Sequence, residues 1–172
     1  MTSKIPARTF WRHLRAVAIA TALTMTTTVA LANTETTTSR NEGIIRDAFE
    51  DWAERGGAFT QVLSPDIVWT VRGSGAFART YKGVESFAND ASRPIISRLA
   101  SPLVPEVHDI WAIDDKVIVR FDASAPTTAG GTYRNEYLWI LTMKDDVVVE
   151  SEAFLDMVKY QELVDSAPPR AQ

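Results

Sequence analysis

The sequence predicts an α+β domain: a curved antiparallel sheet with three helices ahead of it and a short helix behind. Two observations carry this. Beyond residue 39 apolar residues recur at four-residue spacing, as one face of a helix requires, whereas residues 104–155 hold four β-branched stretches split by short polar connectors. Helices come first and strands last, without βαβ alternation. The two kinds of element therefore form separate layers, with the helices' apolar stripes buried on the concave face of the sheet.

Residues 1–32 read as a secretory signal peptide. Lys4, Arg8, Arg12 and Arg15 precede an apolar run from Ala16 that ends Ala30-Leu31-Ala32, the order of charged, apolar and small-residue cleavage regions. The alternative, an uncleaved anchor, needs about 20 apolar residues, and here the run is diluted by Thr21, Thr24, Thr26, Thr27 and Thr28. The expectation is a periplasmic or secreted protein with no stable membrane insertion after cleavage. Residues 33–39 form a polar linker, 40–166 the folded domain and 167–172 a tail.

Ser39 and Glu42 have capping-box spacing, and Ile44/Ile45, Ala48/Phe49 and Trp52/Ala53 continue as a helical stripe to Gly56-Gly57, a helix stop. Ala58 to Leu63 predicts a short second helix ended by Pro65, and Asp66 to Val71 a strand. The Gly-rich stretch from Arg72 to Ala78 reads as a mobile loop over a pocket mouth. Thr80-Tyr81-Lys82-Gly83 predicts a very short strand leading into a third helix, Val84 to about Leu99, broken or restarted at Pro94, which lacks the amide donor. The four long strands are Val104 to Ile113, Lys116 to Ala123, Thr132 to Met143 and Val147 to Leu155, with Asp114-Asp115 and Asp145-Asp146 as tight connectors. A helix from Asp156 to Ser166 ends before Pro168-Pro169.

Composition narrows the chemistry. Loss of residues 1–32 takes the 18 Lys/Arg to 14 against 22 Asp/Glu, so the formal charge moves from −4 to −8. With no basic stripe interleaved with aromatics, nucleic acid is disfavoured as a partner. Cysteine is absent and His108 is the one histidine outside the signal, which excludes a thiol nucleophile and leaves a His/Cys metal site short of ligands. Gly73-Ser74-Gly75 is not a nucleophile elbow, and neither a P-loop nor a dinucleotide fingerprint occurs. No cofactor and no metal are expected. What remains is carboxylate chemistry in an apolar cavity, or binding alone.

The order of elements, with Pro65-Asp66-Ile67-Val68-Trp69, Thr80-Tyr81-Lys82-Gly83, Asn135-Glu136-Tyr137-Leu138-Trp139 and Phe154-Leu155-Asp156, resembles the SnoaL-like, nuclear-transport-factor-2-like superfamily. That superfamily includes polyketide cyclases, ketosteroid isomerase and limonene-epoxide hydrolase. The resemblance spans about Asn41 to Val164 and implies a cone-shaped sheet with a pocket at its open end. The isomerase's acids and tyrosine would fall on Val71, on Leu138 or Trp139, and on Phe49, so that apparatus is missing. The epoxide hydrolase's Arg-x-Asp and later Asp look similar to Arg120-Phe121-Asp122 and Asp156, but its water-positioning Tyr-x-Asn would fall on Trp69 and Val71.

The resemblance implies Asp156 as general acid or base at the pocket floor, with Arg120 orienting Asp122 or an anionic group. Two other readings stand beside it. Arg120 and Asp122 alternate with Val117, Val119 and Phe121 and so can face solvent, and Asp156 is well placed as an N-cap. Candidate pocket residues are Trp69, His108, Asn135, Tyr137, Trp139 and Phe154, with His108 alternatively structural and Trp52 read as core. Two functions follow: cofactor-free acid/base chemistry of cyclase, isomerase, dehydratase or hydrolase type on a small apolar molecule, or a non-catalytic module binding a small molecule or a partner. A buried acid in the cavity marks the first and an aromatic cavity without one marks the second. A homodimer through the outer face of the sheet is also expected.

Overall fold

The computed structural model describes residues 37–56 and 59–170; the expected signal peptide, residues 1–32, and residues 33–36 of the expected linker lie outside the described residues. The first helix, α1, covers residues 37–55 and buries Asn41, Ile45 and Phe49 at four-residue spacing. Ser39 lies inside this helix rather than capping it, because helical backbone is already present at residue 37. A single 3-10 turn, Phe59–Val62, replaces the expected second helix and leads directly into β1, Leu63–Val71.

Pro65 was expected to end an element, yet it lies within β1. The pairing of β1 with its neighbour shifts register between Leu63 and Val68, so Pro65 occupies an irregular stretch that needs no ladder N–H there. β2, Thr80–Lys82, pairs back onto β1 and ends at Gly83, whose φ of 85° turns the chain into the next helix. That helical segment comes in three pieces: α2 (Val84–Ser86), a π segment (Phe87–Ser92) and α3 (Arg93–Ile96). Pro94 sits in the first turn of α3, where its missing N–H costs little, and the chain widens to the π spacing just ahead of it. Leu99 falls outside the helix and bridges to Thr127.

The long strands are β3 (Val104–Ile113), β4 (Lys116–Pro126), β5 (Thr132–Lys144) and β6 (Val147–Leu155), followed by α4 (Met157–Ser166). Asp145 and Asp146, both at positive φ, make the two-residue turn between β5 and β6. The sheet order is β2-β1-β6-β5-β4-β3. All neighbours are antiparallel except β1 and β6, which run parallel. The meander is thus extended by a strand from the front of the chain.

On β4 and β5 every second side chain is buried, so one face of the sheet carries the core and the other does not. Phe49 of α1 meets Phe121 and Trp139 of the sheet at ring-centroid distances of 4.9 and 5.7 Å, and Phe59 lies 5.2 Å from Phe49. Burial of each such ring is worth about 2–3 kcal/mol, which suits a core that holds without disulfides. Behind α4, the last described residues turn back across α3. The Arg170 amide donates to Ser97 O, and Thr128 Oγ1 donates to Pro168 O.

Candidate functional site: an aromatic cavity

A cavity of about 450 Å³ lies between the buried face of the sheet and the helical segment 84–96. Trp69 of β1 and Tyr137 and Trp139 of β5 supply the sheet wall, Phe87, Ala91 and Ile95 the helical wall, and Trp52 and Phe59 one end. Phe87, Ala91 and Ile95 are spaced four apart and so share one helix face. Trp69 lies 4.3 Å from Phe87 and meets Trp139 edge-on at 4.8 Å, so the rings brace one another. Among the described residues, Asp, Glu, Asn and Gln are absent from the lining, and Arg170 is its only charged member.

Beneath Tyr137 lies a buried polar network. Asn135 is fully buried and uses its whole amide. Its Oδ1 accepts from the backbone N–H of Glu136 and of Asp156, and its Nδ2 donates to Asp156 O and to the Tyr133 hydroxyl, all at 2.9–3.0 Å. The Tyr133 and Tyr137 hydroxyls are 3.0 Å apart. Burial pushes the phenols of Tyr137 and Tyr133 above the ordinary tyrosine value, Tyr137 well above it. Both therefore stay protonated at neutral pH and are poised to donate hydrogen bonds. Tyr160, also raised by burial, donates to Ala91 O at 2.8 Å.

The residues singled out in the sequence fall in three places. Trp69, Tyr137 and Trp139 line the cavity. Asn135 shares their strand face but sits in the network behind it, tying β5 to the start of α4. The others are elsewhere. Asp156 is exposed at the N-cap of α4, where its side chain accepts from the N–H groups of Val158 and Lys159 at 2.9 and 3.2 Å.

Arg120 points to the outer face of the sheet and pairs with Asp109 at 3.3 Å, not with Asp122. Asp122 is held instead by Arg134 at 2.5 Å and His108 at 3.1 Å, and these two partners, the Arg134 hydrogen bond first, keep its carboxyl below the usual range. His108 does not share a face with Ile110 as simple alternation suggests. The β3–β4 register slips between Val107 and Asp109, and the extra residue turns His108 outward. Phe154 is also outward and 41% exposed, because its neighbours Ala153 and Leu155 take the inward positions.

The Gly73–Gly75 loop is not part of the cavity wall, and a Cβ at Gly73 would stand 3.1 Å from Met157 at the start of α4. Sequence reasoning missed Phe59, Phe87, Ile95 and Leu99 as lining residues, and it assigned Trp52 to the core alone. The four-residue spacing of Phe87, Ala91 and Ile95 was a readable signal. Among the described residues no group of three or more His, Cys, Asp or Glu is placed to hold a metal ion.

Comparison with known proteins agrees with this architecture. Three solved structures share the fold at 15–20% identity. An NTF2-like protein from Burkholderia pseudomallei K96243 is 15% identical with a TM-score of 0.60, covering 73% of this chain and 97% of its own. PrhC from Penicillium brasilianum NBRC 6234 is 17% identical with a TM-score of 0.63, covering 76% and 89%. TerC, crystallised with polyporic acid, is 20% identical with a TM-score of 0.58, covering 74% and 99%. No curated protein matches the sequence. The SnoaL-like domain model matches residues 45–151, from within α1 to within β6 and more than half of the 172 residues, and the chain therefore belongs to the SnoaL-like domain family.

Proposed function

We propose that the protein is an exported, cofactor-free, small-molecule-binding member of this family that holds an apolar molecule in the aromatic cavity. The observation that carries the reading is the lining itself: a closely braced aromatic wall with no carboxylate in it. General acid/base work on a bound molecule needs a group that exchanges protons near neutral pH within reach of the ligand, whereas burial holds the phenols of Tyr137 and Tyr160 in the lining above the ordinary tyrosine value. Asp156 is spent on capping, and Arg120 and Asp122 face the other side of the sheet. A flat aromatic wall with few polar groups is what an apolar ligand needs. TerC, which shares the fold, was crystallised with polyporic acid. Export rests on the N-terminal 32 residues and is checked by intact mass of protein recovered from the cell envelope or medium.

The test is binding followed by quenching of tryptophan fluorescence, since Trp52, Trp69 and Trp139 all line the cavity. A panel of apolar aromatics is expected to saturate the quench in the wild type. Ala88→Phe, which fills the cavity from the helical wall, should weaken binding at least tenfold. Asp156→Asn keeps an equally good cap, so it should leave binding and thermal stability unchanged, and any turnover found should be equally insensitive to it. A turnover abolished by Asp156→Asn would overturn the binding reading in favour of acid/base catalysis.

A further inference from the structure

The hydrogen-bond inventory of the cavity wall is unbalanced, and the imbalance says what kind of oxygen its ligand carries. Tyr133 accepts from Asn135 Nδ2, and Tyr133 and Tyr137 share one hydrogen bond between their hydroxyls. The pair owns two hydroxyl hydrogens and that bond consumes one. Among the described residues no other group accepts from either, so one O–H is left over. Tyr133 is absent from the cavity lining and Tyr137 is part of it. With Asn135 already donating to Tyr133, the arrangement that spends the Tyr133 hydrogen on Tyr137 leaves the Tyr137 hydrogen free at the cavity. A desolvated donor without an acceptor costs about 1–3 kcal/mol, a cost that a ligand oxygen removes.

The indoles repeat the pattern. Neither Trp69 nor Trp139 has an acceptor for its ring N–H among the described residues. Among the described residues, the one side-chain polar atom sealed from solvent without a partner is Ser151 Oγ, so these N–H groups reach open space. Both residues are over nine-tenths buried, and the open space they line is the cavity. At the rim Arg170, which donates to Ile96 O, adds further donors. Thr60, Ser92 and Ser101 can act either way, but the lining has no carboxylate or amide side-chain oxygen to act as a fixed acceptor.

We infer that the cavity selects apolar molecules bearing a carbonyl-type acceptor oxygen, and that Tyr137 is the residue that donates to it. The inference rests on the binding reading above and adds the polar half of the recognition. Asn135 and Tyr133 serve as positioning residues: they orient the donor and do not touch the ligand. A ligand whose polar group is only a donor meets no fixed side-chain acceptor in this wall among the described residues.

The test uses two planar probes of nearly equal shape, fluorenone, which carries a ketone, and fluorene, which does not. Affinities are measured by tryptophan quenching for the wild type and Tyr137→Phe. The wild type is expected to bind fluorenone at least about tenfold more tightly than fluorene, the worth of one good hydrogen bond. In Tyr137→Phe that preference should fall below about threefold, the loss coming from fluorenone affinity.

The infrared carbonyl stretch of bound fluorenone supplies a second readout: lowered relative to hexane in the wild type and restored towards the hexane value in the variant. Equal affinities in the wild type, a preference that survives Tyr137→Phe, or an unshifted carbonyl would each overturn the assignment of Tyr137 while leaving apolar binding intact. Binding of neither probe would overturn both readings. If Tyr137→Phe fails to fold, the wild-type affinity ratio and carbonyl frequency decide alone.

Discussion

Asn135 shows how one buried polar side chain can set a local geometry. It supplies four hydrogen bonds, two of them to the backbone of Asp156, and so fixes where β6 ends and α4 begins. Asn135→Ala would strand the N–H groups of Glu136 and Asp156, and would take one donor from the Asp156 carbonyl, which keeps Tyr160 N–H, and one from the Tyr133 hydroxyl, which keeps Tyr137. A loss of about 2–4 kcal/mol is expected, read as a fall in the urea midpoint with an unchanged slope. At this scale the sequence was legible in part. Tyr133, Asn135, Tyr137 and Trp139 alternate in the sequence and β5 buries all four on one face, but alternation does not say which of them the cavity reaches. Phe154 was readable too: it shares the face of Glu150 and Glu152, which marks it as outward. His108 was not, because a bulge shifts parity by one residue and leaves no mark in composition.

Elements are where the buried tyrosines act together. Tyr133 and Tyr137 come from β5 and Tyr160 from α4, and burial raises all three phenols. Their folded values lie above the unfolded value near 10, so the stabilisation is complete below pH 10 and is lost as pH rises beyond it. Each group removes up to about 1.4 kcal/mol per pH unit in that range. A spectrophotometric titration at 295 nm should show the tyrosinate signal of these residues appearing together with loss of near-ultraviolet circular dichroism, not ahead of it. Ionisation of these three tyrosines near pH 10 in the folded protein would refute this.

The long strands were predictable within a few residues because their β-branched alternation and Asp-Asp turns are local signals. The register slip that admits Pro65 into β1 was not, because it depends on a partner strand some 80 residues away. Nor did local spacing reveal the π segment ahead of Pro94, since the widening is a response to packing as well as to the missing amide.

At the level of the whole molecule, the outer face of the sheet carries an exposed apolar patch. Trp111, Ile118 and Ile140 stand in register on β3, β4 and β5, with Leu138 and Phe154 beside them, ringed by ion pairs of Arg120 with Asp109 and Arg72 with Glu152. Trp111 is 48% exposed, and a contiguous apolar patch with a charged rim is characteristic of an interface. The expected dimer would use this face, with Ile140→Glu giving a monomer of unchanged far-ultraviolet spectrum. Light scattering showing a wild-type monomer would remove the proposal.

The parallel pairing of β1 with β6 has a kinetic corollary. The β3–β6 meander joins segments adjacent in sequence and can assemble quickly, whereas β1 must wait for a partner at the far end of the chain, a slow, high-contact-order closure. Trp69 reaches Trp139 only once that closure is made. The cavity is therefore expected to be completed last, and an apolar ligand added during refolding should leave the early phases unchanged while stabilising only the product of the final one.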